Sequence, residues 1–169
     1  MLGIGDVFMW SNYQHVRDPH KKDRWFIYLG ETKEINGGSV LYPTIYVPML
    51  TTTASDFHYD PEDGDREAGN IIKIRADEVN GFDCDCIIDT RINTKLLLRK
   101  QFYDGARFIT VKGRVSSGIL VKIYESILKT KPISPLHINQ IRVNLSSHVD
   151  GVQLQSAETY ERRHKRRHL

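Results

Sequence analysis

Residues 113–129, GRVSSGILVKIYESILK, carry the chain from its last strand signal into an apolar helical stripe. Ile119, Ile123 and Ile127 recur every four residues, with Leu120, Tyr124 and Leu128 beside them. That spacing makes one face of a helix over 116–130 apolar. Ser116 or Ser117 is placed to accept from its first turn, and Pro132 and Pro135 oppose its continuation.

The chain before that helix is rich in strand signals. Asp6–Trp10, Arg24–Gly30, Thr44–Thr51 and Ile71–Arg75 are short β-branched and aromatic runs bounded by Gly, Pro, Asn or Asp. A fifth strand begins within Gly81–Ile92. A sixth is expected at Arg107–Val111, after a helical or irregular piece around Lys95–Gln101. Asn36-Gly37-Gly38 is a turn signal, and Tyr42-Pro43 a break or edge position before the third strand. The pattern predicts a mainly β barrel or sandwich of five to seven strands with one main C-terminal helix.

At 169 residues, with 40% hydrophobic and 27% charged residues, the chain has the composition of a globular domain. It holds no apolar run near the roughly 20 residues needed to span a bilayer. The start, MLGIGDVF, lacks the basic region and clean apolar core of a secretory leader. Cys84 and Cys86 are too close for an unstrained disulfide and read as strand thiols, so a cytoplasmic protein is expected. This pair and the nearby His58 fall short of the four ligands of structural zinc, so no metal or cofactor is expected. No phosphate-binding glycine loop, nucleophile elbow or HExxH helix occurs.

Charge is distributed unevenly. Residues 1–94 hold 9 Lys/Arg against 16 Asp/Glu, while residues 95–169 hold 15 against 5. Such polarity suits nucleic acid or an acidic partner, or halves that neutralise each other on folding. Residues 53–70 carry six acids and read as a solvated loop without EF-hand spacing. Residues 134–169 are expected as a basic C-terminal extension, with an edge strand at Ile138–Leu145 and a mobile or partly helical tail, SAETYERRHKRRHL.

Five segments in order carry a resemblance. They are GDV at Gly5–Val7; the loop Ser11–Asp23 leading to RWFIYLG; VPMLTTT at 47–53; GFDCDCIIDTRINT at 81–94; and Gly113-Arg114-Val115-Ser116 with its helix. Together they resemble the PemK/MazF family of type II toxin endoribonucleases. The resemblance covers about residues 3–130 and implies an SH3-like barrel over 1–133, with 134–169 as the extension. It further implies a homodimer that cuts single-stranded RNA to a 2′,3′-cyclic phosphate, without a cofactor, and is neutralised by an acidic antitoxin protein.

Metal-free RNA cleavage needs a proton taken from the 2′-hydroxyl, one given to the leaving 5′-oxygen, and donors for the charged phosphorane. Arg24 matches the family arginine that opens the second strand, although Trp25 stands where proline is usual. Its guanidinium stays charged and offers a planar fork of donors. Thr51 matches the threonine beside that arginine, with Thr52 or Thr53 open as the true match. Arg91 matches a further basic residue, but Asn93 stands where some members carry an aspartate. Asp89 or a histidine is left as the candidate proton carrier. His15, His20, Lys21, Lys22 and Thr52 are the expected RNA-binding residues. Two other readings stay open: a non-catalytic SH3-like module binding RNA or protein, and a topoisomerase-poisoning toxin on the same fold.

Overall fold

The computed structural model describes residues 2–13, 20–36, 39–50, 71–78, 85–90, 94–131, 133–149 and 151–165. In chain order these form β1 (Asp6–Tyr13), β2 (Lys22–Ile27), β3 (Glu31–Asn36), β4 (Ser39–Leu50), β5 (Ile71–Ile74), β6 (Cys86–Asp89) and β7 (Thr94–Leu98). They continue with α1 (Arg99–Asp104), β8 (Ile109–Arg114), α2 (Ser117–Thr130), α3 (Pro135–Ser146) and α4 (Ala157–Lys165). The main sheet runs β3-β4-β2-β1-β8, with β7 also on β4, and β5 and β6 form a separate two-stranded sheet. All pairings are antiparallel.

Alternation along the central strands separates two cores. Val7, Ile27 and Leu29 point to one face and join Ile72, Ile74, Cys86 and Ile88 beneath α2 and α3. Phe8, Trp10, Phe26 and Tyr28 point to the other face and pack with Phe102 of α1. The aromatic rings interlock, with Phe8 stacked on Phe26 at 5.4 Å and Phe102 edge-on to Trp10 at 5.6 Å. Such pairs add roughly 0.5–1.5 kcal/mol each beyond the apolar area they bury.

The expected α2 is present: Ser116 Oγ accepts from the Ile119 N–H, and Ile119, Ile123, Tyr124 and Ile127 are buried. It ends at Lys131, whose left-handed backbone (φ 48°) lets its N–H reach the Ile127 carbonyl.

Four sequence expectations are corrected. The strands do not close into a barrel: among the described residues β8 pairs with β1 alone, and β4 is shared in succession by β3, β7 and β2. The fold is therefore a mixed one of antiparallel sheets and helices. The edge strand expected at Ile138–Leu145 is a helix, so α2 is not the one main C-terminal helix. Ile138, Ile141 and Leu145 are spaced three and four apart and are fully buried. Pro135 lies beyond the end of α2, as expected, and also opens α3 behind the Ser134 cap, where its missing N–H costs nothing. Lys95–Gln101 divides between β7 and α1. Tyr42-Pro43 lies inside β4, where the register against β3 slips by one residue, so the proline falls at a bulge.

Residues 134–169, expected as an extension, contribute Ile138, Ile141, Leu145, Val149, Leu154 and Ala157 to the same cluster as Val7 and Ile27. Tyr124 of α2 reaches this segment and donates its hydroxyl to the Gln155 carbonyl. Burial pushes its phenol from 10.0 up to about 12, with Arg142 opposing and Glu158 adding to the shift. A folded pKa above the unfolded one means that this stabilisation is complete below pH 10 and is lost as the pH rises through about 12. Tyr124→Phe is expected to remove that part of the alkaline loss of stability, measured by unfolding curves at stepped pH. No described helix is long and apolar enough to cross a membrane.

Candidate nucleic-acid interface

One cross-strand row organises the candidate site. Arg24 of β2 lies opposite Trp10 of β1, and Trp10 lies opposite Ile109 of β8. Strand alternation puts Arg24 on the aromatic face with Phe26. Arg24 is half-buried there, with the exposed residues His20, Lys21, Lys22 and Asp23 just before it.

A bulge shapes this end of the sheet. Between Trp10 and Tyr13, β1 carries one more residue than β2, and Asn12 takes a left-handed backbone with φ 56°. The extra residue returns Tyr13 to the same face as Trp10. Its ring sits 5.3 Å from Trp10 and 5.0 Å from Phe26. Burial pushes the Tyr13 phenol above its ordinary 10.0, so near neutrality it is a hydrogen-bond donor rather than a base. Asp23 Oδ1 accepts from the Asn12 N–H at 3.1 Å, tying the opening of β2 to the bulge.

On the far side of Trp10 the chain wraps the indole closely. A Cβ at Gly105 would come within 2.1 Å of Trp10 Cζ2, so only glycine fits there. The following 3₁₀ turn, Ala106–Phe108, closes with the Phe108 N–H donating to the Gly105 carbonyl at 2.9 Å. It presents the Arg107 guanidinium 4.8 Å above the ring of Phe108, both residues being exposed. These two residues were read in the sequence only as the start of a strand. Their signal is a cation beside an aromatic ring, and it becomes informative once Trp10 joins them to Arg24.

Of the expected site residues, Arg24, His20, Lys21 and Lys22 come together at the opening of β2. Thr51, Thr52, Arg91 and His15 lie outside the described residues, as do Thr53, Asn93, His58, Cys84 and the acidic loop 53–70. Leu50, the residue before Thr51, pairs with Trp25, the residue after Arg24. Asp89 is buried on β6, in the other sheet from Arg24. Thr90 beside it is fully buried, its Oγ1 2.7 Å from Ser126 Oγ and 3.3 Å from Thr130 Oγ1, which fastens the end of β6 to α2.

The GDV and Gly-Arg-Val segments meet in the structure. Asp6 and Arg114 are partners in the β1–β8 ladder, and Asp6 Oδ1 accepts from Arg114 Nε at 2.8 Å and Nη2 at 2.7 Å. Asp6 Oδ2 accepts from the Gly3 N–H at 2.6 Å. The Asp6 side chain is thus fully engaged in closing the N-terminus onto β8, a structural task distant in the ladder from Arg24.

The site combines a strand-borne guanidinium and exposed lysine charges, suited to phosphates, with the exposed ring of Phe108 as its aromatic surface. Among the described residues, no group of three or more His, Cys, Asp or Glu is placed to hold a metal ion. No family model and no curated protein matches the chain.

Proposed function

We propose that the chain is a metal-independent, toxin-type endoribonuclease of the PemK/MazF kind, cutting single-stranded RNA at the Arg24 end of its main sheet. The observation that carries this reading is a half-buried arginine held in register against Trp10, with the exposed Lys21 and Lys22 three and two residues before it and Asp23 between. A strand-borne guanidinium meets a phosphorane without first having to be ordered. The lysines draw in the polyanion, and Thr51, which follows Leu50 in sequence, supplies a hydroxyl near the scissile phosphate. Arg91 adds positive charge. The 2′-hydroxyl loses its proton to water as it attacks the adjacent phosphorus, and the P–O5′ bond breaks as the 5′-oxygen takes a proton from water, giving the 2′,3′-cyclic phosphate and a 5′-hydroxyl. On this reading the protein is cytoplasmic and homodimeric, and an acidic antitoxin covers the same basic end.

A second reading, a non-catalytic RNA-binding module, draws on two observations. Asp23 is engaged on the Asn12 N–H, and the Tyr13 phenol is held protonated, so neither is a ready general base. One experiment separates the two. The purified protein is mixed with a broad panel of single-stranded RNAs in EDTA. Products bearing a 2′,3′-cyclic phosphate are expected, together with a dimer by light scattering at tens of micromolar, an ordinary scale of dimer affinity. Binding without cleavage across the panel would replace the nuclease by the binding module.

A further inference from the structure

Two exposed aromatic rings stand near the candidate interface, and their surroundings differ. Tyr103 of α1 is 43% exposed, but its hydroxyl donates to Glu31 Oε1 at 3.0 Å, so a carboxylate stands beside it. Phe108 is 39% exposed and lies under a guanidinium at 4.8 Å. A negative neighbour repels a nucleotide's phosphate, whereas a cation beside an open ring accommodates both base and phosphate.

We infer that Phe108, with Arg107, is a base-stacking platform for the nucleotide neighbouring the one whose phosphate meets Arg24. The inference rests on the RNA reading above and names the contact that holds the strand beside the cut. Position supports it. Ile109, next to Phe108, is in the Arg24–Trp10–Ile109 row, two strand spacings or about 10 Å from Arg24. Gly105 presses the start of the turn against Trp10, the residue that pairs with Arg24. The 3₁₀ turn closes on itself through the Phe108 N–H, so little ordering remains when a base arrives. Every base has a π-face, so the platform selects unstacked, single-stranded RNA rather than a base identity.

The test measures equilibrium binding by the full chain of two end-labelled polymers, oligouridylate and a ribose-phosphate polymer without bases, both 2′-O-methylated so that the attacking hydroxyl is absent and neither can be cut. Phe108→Ala is expected to weaken oligouridylate binding about 5- to 150-fold, the range for loss of one base–aromatic stack. It should leave the baseless polymer's binding unchanged. Phe108→Leu, which keeps apolar bulk and removes the π-face, should behave like the alanine variant, and Phe108→Trp should bind as the unsubstituted protein does. Arg107→Ala should reduce the slope of log affinity on log salt by about 0.7, one single-strand phosphate contact. Unchanged oligouridylate binding by Phe108→Ala, or equal losses on both polymers, would overturn the platform and leave the RNA reading standing. Failure of the unsubstituted protein to bind either polymer would overturn both.

Discussion

On the endoribonuclease reading, Arg24→Ala is expected to lower the rate of single-stranded RNA cleavage by a factor on the order of 10²–10³, enough to bring it to background in an ordinary assay. The size follows from where charge develops. The phosphorane carries more negative charge than the ground-state phosphodiester, and a guanidinium already held by a strand stabilises the former more than the latter. The loss should therefore appear in kcat more than in KM. Arg24→Lys restores a charge without the planar fork and should recover only part of the rate. Folding should survive, since Arg24 is only half-buried on β2, whereas the fully buried Phe26 and Ile27 at the end of that strand carry the packing. An unchanged thermal midpoint alongside lost activity is the expected pair of results. Cleavage that persists in Arg24→Ala would remove this site from the chemistry.

Gly30→Ala should cost the fold a large part of its stability. Gly30 has φ +104°, a conformation that L side chains rarely adopt, and its new Cβ would lie 2.4 Å from Asn144 Nδ2. That amide donates to the Leu29 carbonyl at 3.2 Å and to the Glu31 carbonyl at 3.1 Å, clamping α3 over the link between β2 and β3. Backbone strain of roughly 1–2 kcal/mol is joined by two broken hydrogen bonds at about 1 kcal/mol each. The sum lowers the thermal midpoint by roughly 5–15 °C in a protein of this size. Asn144→Ala loses the bonds without the strain and should fall about midway. A Gly30→Ala protein that melts with the unsubstituted one would show that α3 does not grip this link.

Period and caps in the sequence were sufficient for the central strands and for α2. The run Phe26-Ile27-Tyr28-Leu29 alternates aromatic and aliphatic side chains, and the two kinds do occupy opposite faces of the sheet. The four-residue isoleucine repeat, with Ser116 before it, specified α2 for the same reason: period and cap are properties of neighbouring residues. Arg24 lies on β2 as its own segment indicated, but as the third residue, since the strand opens at Lys22 and ends at Ile27. The α3 segment was misread because its four apolar residues in eight fit either period, Ile141, Val143 and Leu145 alternating while Ile138, Ile141 and Leu145 share a helix face, and burial of the latter set is what selects the helix. Closure into a barrel depends on which strand edges meet, and no local pattern encodes that. The pairing of Asp6 with Arg114 spans 108 positions, and the grip of Asn144 on Leu29 spans 115. Contacts so distant in sequence form only when sheet register and helix packing are satisfied together. The approach of Gly105–Phe108 to Trp10 is of the same kind: Arg107 and Phe108 gain a role from the register of β1 between β2 and β8, which the tertiary fold alone sets.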